Sequence, residues 1–363
     1  MNVTKNILVI SSSSKTGGGP SHIFTIDKLI SDKINFFYAM PFSESIKERF
    51  DLKKFLFIQE RKISILDLFR LILFIKNNSI DIIHSHGKGA GVIGRLLKIF
   101  LNKPLIYTYH GIHIECLSNL KRIIYIAYEN FFSWIDDQKI FVSRSEKDYA
   151  IKSKIIINGN YSIINNGVPN KNFRKLNLNK EKINKKMRIN NNNKNIISIC
   201  RLVDQKNIFE ILRIAKNLES YNFLILGDGY LFSEAKSFLN KYNINNVYLL
   251  GNKKNIYDYL YGSDLFLSTS LYEGHPISIL EAMSIGLPVV ASKVVGNIDT
   301  IKQGISGYFY ELGDVNQASK YIKKILSDEI INSKFSLSSI KKQRKFFTLK
   351  NMKNNYYELY KKV

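Results

Sequence analysis

The stretch EGHPISILEAMSIGLPVVAS, Glu273–Ser292, carries two carboxylates eight positions apart at the start of an otherwise apolar run. Pro276 suits the first turn of a helix, where a missing N–H costs nothing. Gly286 suits the stop, and Pro288 forbids continuation. The helix therefore begins just after Glu273-Gly274-His275. The free N–H groups of Ile277 and Ser278 face that loop, where an anion is the favoured guest. Glu281 sits about a turn and a half in and projects back toward the same edge. A carboxylate beside an anion site accepts hydrogen bonds from sugar hydroxyls, and Glu273 can do the same from the other side. His275, inside the loop, is placed to touch the same guest. Alone, the pair would also fit a glutamate resting on a helix dipole and a second one exposed to water.

The pair does not stand alone. ISICRLVDQKN puts Arg201 at the carboxyl end of a strand, with Lys206 five residues on. In open α/β sheets ligands bind outside that end of the strands, and two cations facing a helix N-terminus suit a diphosphate. LILGDGY ends another strand in a turn at Gly227, and YLLGN does so at Gly251, with backbone contacts suited to a nucleobase. His84 and His86 point to one face of a strand, without a third metal ligand nearby in sequence. Strand-end packing or an acceptor pocket suits them better. His22 follows a glycine-rich turn and is placed to touch an acceptor.

These residues need a scaffold, and the chain reads as one. Short β-branched strands alternate with helical patterns, the signature of parallel α/β sheets. Strands are expected at 6–11, 80–86, 103–111 and from 139. The alternation restarts with strands at 196–200, 221–226, 247–250, 265–268 and 288–291. Between the two series lies a polar, basic stretch without apolar period, read as an interdomain connection with a solvated helix or loop. The expected division is 1–165, a connection at 166–195, a second domain at 196–340, and a final helix at 341–363 packing back toward the first domain. The aromatic-rich helix over Leu120–Asp137 is expected to pack on the first sheet, with membrane contact as the other reading. Ser45–Ile58 mixes basic and apolar residues and could lie on a membrane.

Length and composition agree. At 363 residues, 45% hydrophobic and 12% aromatic, the chain suits two folded domains rather than disorder. Cys116 and Cys200 are far apart and fit neither a disulfide framework nor a metal cluster, so a reducing cytoplasm is expected. No stretch reads as a signal peptide or a membrane span. The net charge of +24 is concentrated: Asn170–Asn195 and Lys334–Val363 each hold nine Lys or Arg against one acid. Neither joins base-stacking aromatics, so nucleic acid is not an expected partner. Contact with anionic lipid headgroups and the base composition of an AT-rich gene both account for the excess.

In order, the strand-Arg-x4-Lys, GDG, strand-LxG and E-G-x-P/E-x7-E motifs resemble glycosyltransferase family 4, the retaining GT-B enzymes. The resemblance spans nearly the whole chain. TGGGPSH is similar to that family's glycine-rich loop, DIIHSHGKGAG and YTYHG to its next strands, and INNGV to its hinge strand. The histidine-rich wording resembles the branch that assembles bacterial capsule, exopolysaccharide or O-antigen units. The resemblance implies a GT-B fold, two Rossmann-like doubly wound domains facing each other across a cleft. It also implies transfer of a hexosyl or acetamidohexosyl unit from a nucleotide-sugar, UDP by default, to a saccharide acceptor that is lipid-linked. The expected setting is cytoplasmic, peripheral to the inner face of the membrane.

Residue by residue, the resemblance implies that Arg201 and Lys206 hold the pyrophosphate and that Glu281 binds the ribose hydroxyls. Glu273 lies near the donor sugar and phosphate, and His110 near the reacting sugar. Gly18 and Gly19 match a loop that approaches the phosphates or acceptor closely. No Asp-x-Asp pair occurs, which agrees with a family that uses basic side chains in place of a metal; no cofactor is expected. A GT-B epimerase, a phosphorylase and a non-catalytic sugar-nucleotide-binding protein are the alternatives. A dinucleotide-dependent dehydrogenase is disfavoured, because His22 stands where its loop needs a third glycine.

Overall fold

The computed structural model describes residues 5–14, 18–47, 50–62, 64–155, 158–171, 181, 183–185, 189 and 193–363. The chain divides into two units, Met1–Asn166 with Leu349–Val363, and Gly167–Thr348.

The first unit runs β1 (Asn6–Ser11), α1 (Gly18–Ile30), β2 (Asn35–Met40), α2 (Glu44–Lys47), β3 (Phe55–Phe57), α3 (Ile65–Asn77), β4 (Ile82–His86), α4 (Lys88–Leu101), β5 (Leu105–Thr108), α5 (Asn119–Phe132), β6 (Gln138–Phe141), α6 (Arg144–Lys152) and β7 (Asn160–Ile163). The strands form one sheet in the order β3-β2-β1-β4-β5-β6-β7, parallel throughout. β1, at the centre, is covered on both faces, which is why its run is apolar without alternation. Ile7 and Val9 of β1 meet Ile23, Ile26 and Ile30 of α1 on one side. Leu8 and Ile10 meet Leu71 and Ile75 of α3 and Ile93 and Leu97 of α4 on the other.

The second unit runs β8 (Lys194–Ile199), α7 (Ile208–Lys216), β9 (Tyr221–Leu226), α8 (Phe232–Lys241), β10 (Val247–Gly251), α9 (Ile256–Tyr261), β11 (Leu265–Ser268), α10 (Ile277–Ser284), β12 (Val289–Ser292), α11 (Asn297–Thr300), β13 (Gly307–Tyr310), α12 (Val315–Ser327) and α13 (Glu329–Phe346). Its sheet has the order β10-β9-β8-β11-β12-β13, again parallel. The chain then returns to the first unit as α14 (Leu349–Lys362). Met352, Tyr356, Leu359 and Tyr360 bury one face of α14 among Ile7, Val9 and the apolar side of α1. Residue 341, expected to begin this helix, lies inside α13; the last helix starts at Leu349.

Three local expectations are corrected. Part of the basic connection is core, since Ile183 and Ile189 are buried with Leu224, Phe266 and Ile279, and the buried Asn184 accepts from Asn195 Nδ2 at 2.8 Å; residues 172–180 lie outside the described residues. Ser45–Ile58 is anchored in the fold, since Ile46, Phe55 and Ile58 are buried and Phe55–Phe57 pairs with β2, while Lys47, Asp51, Leu52 and Lys53 are exposed and residues 48–49 lie outside the described residues. The helix over Leu120–Asp137 does sit against the first sheet, but only Glu129 of α5 is fully buried. Leu120, Ile123, Ile124 and Phe131 are exposed.

Candidate functional site

In a doubly wound sheet the crevice opens where strand order reverses, because the loops after those two strands diverge. In the second sheet that point lies between β8 and β11. The loop after β8 carries Arg201 and the 3₁₀ turn Asp204–Lys206; the loop after β11 carries Ser270 to Pro276. The two are stitched together: Leu271 N donates to Gln205 O at 2.8 Å, Gln205 Nε2 to Tyr272 O at 3.0 Å, and Thr269 Oγ1 to Lys206 O at 2.8 Å.

Lys206 Nζ forms an ion pair with Glu273 Oε1, and Ser270 Oγ donates to the same oxygen at 2.7 Å. Behind them runs a chain of buried polar groups. Ser292 Oγ donates to Ser270 O at 2.6 Å, and Asn297 Nδ2 to Ser292 O at 2.9 Å. Gly296 (φ +83°) lies so close that a Cβ there would come within 2.6 Å of Gly274 O. The Glu273 carboxylate is thus fixed from below, with its cation alongside.

Arg201 is exposed and, among the described residues, its side chain makes no hydrogen bond or ion pair. α10 begins at Ile277 after Pro276, which caps rather than enters the helix. The N–H groups of Ile277 and Ser278 lack partners within the helix. Glu281, one turn on, is partly buried, and burial pushes its carboxyl up to about 7; Tyr257 is its nearby polar neighbour. Gly227 and Gly251 follow β9 and end β10 on this same edge, joined by Gly227 N to Gly251 O at 3.0 Å. A Cβ on Gly227 (φ +133°) would sit 1.9 Å from Cys200 O, so glycine is obligatory there. His275 is buried, its ring edge-on to Phe347 at 5.0 Å, and it offers a ligand little surface.

The first sheet reverses between β1 and β4. Gly18 and Gly19, expected in a loop, are the first residues of α1 beside that edge. There the structure gathers histidines that the sequence scatters. His86 Nδ1 and His110 Nε2 lie 2.8 Å apart. His22 Nδ1 bonds Asn166 Oδ1 at 2.6 Å and its Nε2 bonds Tyr356 OH at 2.9 Å. His84 bonds Tyr360 OH at 2.7 Å and Thr108 Oγ1 at 2.8 Å. Burial lowers all four imidazoles, His22 to about 4 and the others well below their ordinary value, so they are neutral near pH 7. His110 holds a left-handed backbone (φ +59°), followed by Gly111 (φ +111°) whose N–H donates to Glu146 Oε1. The other Glu146 oxygen accepts from Val142 N at 2.8 Å.

His22 and His86, expected at an acceptor pocket, are buried rings; His110 is the partly exposed member. The third partner missing from the sequence for a metal exists in space, with ligand atoms of His22, His86 and His110 within 4.8 Å of one another. Yet His22 spends both ring nitrogens on Asn166 and Tyr356, and His86 spends Nδ1 on His110. A cation would have to displace these bonds, although His86 Nε2 has no hydrogen-bond partner among the described residues.

The model of Glycosyltransferase Family 4 matches residues 37–171, and that of Glycosyl transferases group 1 matches residues 179–345. The chain belongs to glycosyltransferase family 4. This glycosyltransferase is 29% identical over 280 residues to the Escherichia coli UDP-Gal:alpha-D-GlcNAc-diphosphoundecaprenol alpha-1,3-galactosyltransferase, covering 74% of this chain and 71% of that one. It is 26% identical over 271 residues to the capsular polysaccharide biosynthesis glycosyltransferase CapM of Staphylococcus aureus, covering 72% and 71%. It superposes on Anabaena HepE, solved with UDP and glucose, with TM-score 0.86 and 18% identity over 99% of this chain and 100% of that one. That likeness shows the fold, the two Rossmann-like domains of GT-B.

Several residues of this candidate site escape a reading of motifs. Ser270, Ser292, Gly296 and Asn297 support Glu273 but form no motif in the sequence. Glu146 left a trace, because Ser143 three positions earlier makes a capping pair whose Oγ accepts from Glu146 N at 3.2 Å. Nothing in that pair announces the bond to Gly111.

Proposed function

We propose that this glycosyltransferase moves a hexosyl or acetamidohexosyl unit from a UDP-sugar to a lipid-linked saccharide, with retention and without a metal, in assembly of a bacterial surface polysaccharide. One observation carries the donor side: Arg201, Lys206 with Glu273, the α10 N-terminus and Glu281 converge on the carboxyl edge of the second sheet at its point of reversal. Cations and a helix N-terminus hold a diphosphate, and Glu281 takes the ribose hydroxyls. The names of the E. coli and S. aureus relatives support the acceptor class and the setting.

In the proposed step the bond from the sugar's anomeric carbon to the diphosphate oxygen breaks. The acceptor oxygen forms its bond on the same face, and the departing phosphate oxygen takes the acceptor's proton. Arg201 and Lys206 neutralise the charge that grows on the leaving group, an electrostatic contribution of roughly 3 kcal/mol per well-placed donor. His110, neutral, offers a hydrogen bond to the reacting sugar.

Calorimetric titration with UDP and GDP in the presence of a chelator tests the donor site. Binding of UDP, weakened in Arg201→Ala and Glu281→Ala, is the expected result. No binding of either nucleotide would overturn it. The anomeric configuration of the product, read by NMR, tests retention.

A further inference from the structure

α5 is built inside out for a helix in water. Its one fully buried side chain is Glu129, held by Arg95 of α4 at 2.9 Å, and Arg95 is in turn held by Asp136 at 2.7 Å. Its outward face carries Leu120, Ile123, Ile124 and Phe131, each 58% to 68% exposed. Trp134, the only tryptophan of the chain, follows just beyond the helix end at 70% exposed. Further exposed apolar side chains stand on the same side of the first sheet, Ile65 and Phe69 of α3 and Phe100 of α4. Large apolar side chains left in water in such number mark a contact surface.

The charges say what it contacts. Arg70, Lys76, Lys121 and Arg122 are exposed on these helices. The only acids on α3, α4 and α5 are Asp67 and Glu129, both buried and each paired with an arginine of the same helices. A second copy of the chain would set like charges against each other. An anionic lipid surface matches both features, since apolar and indole side chains enter the acyl boundary while lysine and arginine reach the headgroups. We propose that the outer face of α3, α4 and α5 docks the first unit on an anionic membrane through Ile123, Ile124, Phe131 and Trp134, flanked by Lys121 and Arg122. The surface is read from these helices; its purpose, delivery to a lipid-linked acceptor, rests on the function proposed above.

The test uses the full chain with vesicles of phosphatidylcholine, alone or mixed with phosphatidylglycerol, at low salt. Sedimentation and Trp134 emission are followed together. Expected are binding to the mixed vesicles, a blue shift of Trp134, and quenching by brominated lipid. Ile123→Glu with Ile124→Glu should weaken binding at least about tenfold, while UDP binding stays as in the parent. Lys121→Glu with Arg122→Glu should erase the preference for anionic vesicles. Failure to sediment with vesicles overturns the proposal, as does binding that leaves Trp134 emission unchanged, which would assign contact to another basic segment. A concentration-dependent blue shift without lipid would assign the face to self-association and also overturn it. Transfer to a water-soluble acceptor analogue should survive in the Ile123/Ile124 variant, so loss of docking and failure of the functional reading give different results.

Discussion

Lys206 and Glu273, 67 positions apart, are joined as an ion pair at the reversal point of the second sheet, and Ser270 donates to the same carboxylate oxygen. In the proposed donor site the pair sets a cation in place before the diphosphate arrives. A preorganised cation costs no rearrangement when charge develops.

Removing either partner should therefore cost more than the contact itself. Lys206→Ala is expected to lower kcat/KM by about 10² to 10³, and Glu273→Ala by a similar factor. The double variant should lose much less than the product of the two, because each deletion already disables the other group. Ser270→Ala should give a smaller fall, seen in kcat more than in KM. Steady-state kinetics on the four proteins decide this; additive losses would show that the residues act independently.

With Glu281 at the ribose, as proposed above, nucleotide binding should be a proton-coupled event. Burial holds its carboxyl near 7, so the empty site is partly protonated at neutral pH. Ribose hydroxyls that donate to the carboxylate favour the ionised form and expel that proton. UDP affinity should rise as pH increases through about 7, with proton release on binding. Titration calorimetry in buffers of different ionisation enthalpy measures the release, which Glu281→Gln should abolish. The stability sign is opposite. A raised carboxyl pKa penalises the folded state increasingly as pH climbs from 4.5 toward 7, so the variant should gain stability above neutrality.

The histidine cluster should make the first unit acid-labile. Each of the four imidazoles has its pKa depressed by burial, so the unfolded chain binds protons more readily. Stability is complete above the ordinary value of 6.5 and is lost as pH falls from there toward 4, where His22 alone accounts for up to roughly 3 kcal/mol. Thermal melts between these limits should show Tm falling with acidification. His22→Gln should flatten the slope. A pH-independent Tm would mean that the imidazoles are not held neutral.

Much of the fold was legible because its causes are local. Unbroken β-branched runs between glycine turns are the mark of strands buried on both faces, and Pro276 and Gly286 bracket α10 by backbone chemistry alone. β2 and β3 were not read, since NFFYAM and FLF carry aromatics without a period that separates strand from helix.

The sequence by itself determined the family, the two-sheet architecture and the residues at the carboxyl edge of the second sheet, because sheet direction sends every strand-end motif to the same side. Tertiary structure alone decided which side chains meet. It paired Lys206 with Glu273, ran Asn297, Ser292 and Ser270 beneath them, and closed His22, His86 and His110 into one cluster, since such distances depend on strand order rather than on neighbours in the chain. It also decided the direction of α5. A helical period shows that one face is apolar, but whether that face meets protein or solvent depends on what lies opposite. Here Arg95 claims Glu129, and the leucine, isoleucines and phenylalanine are left outside.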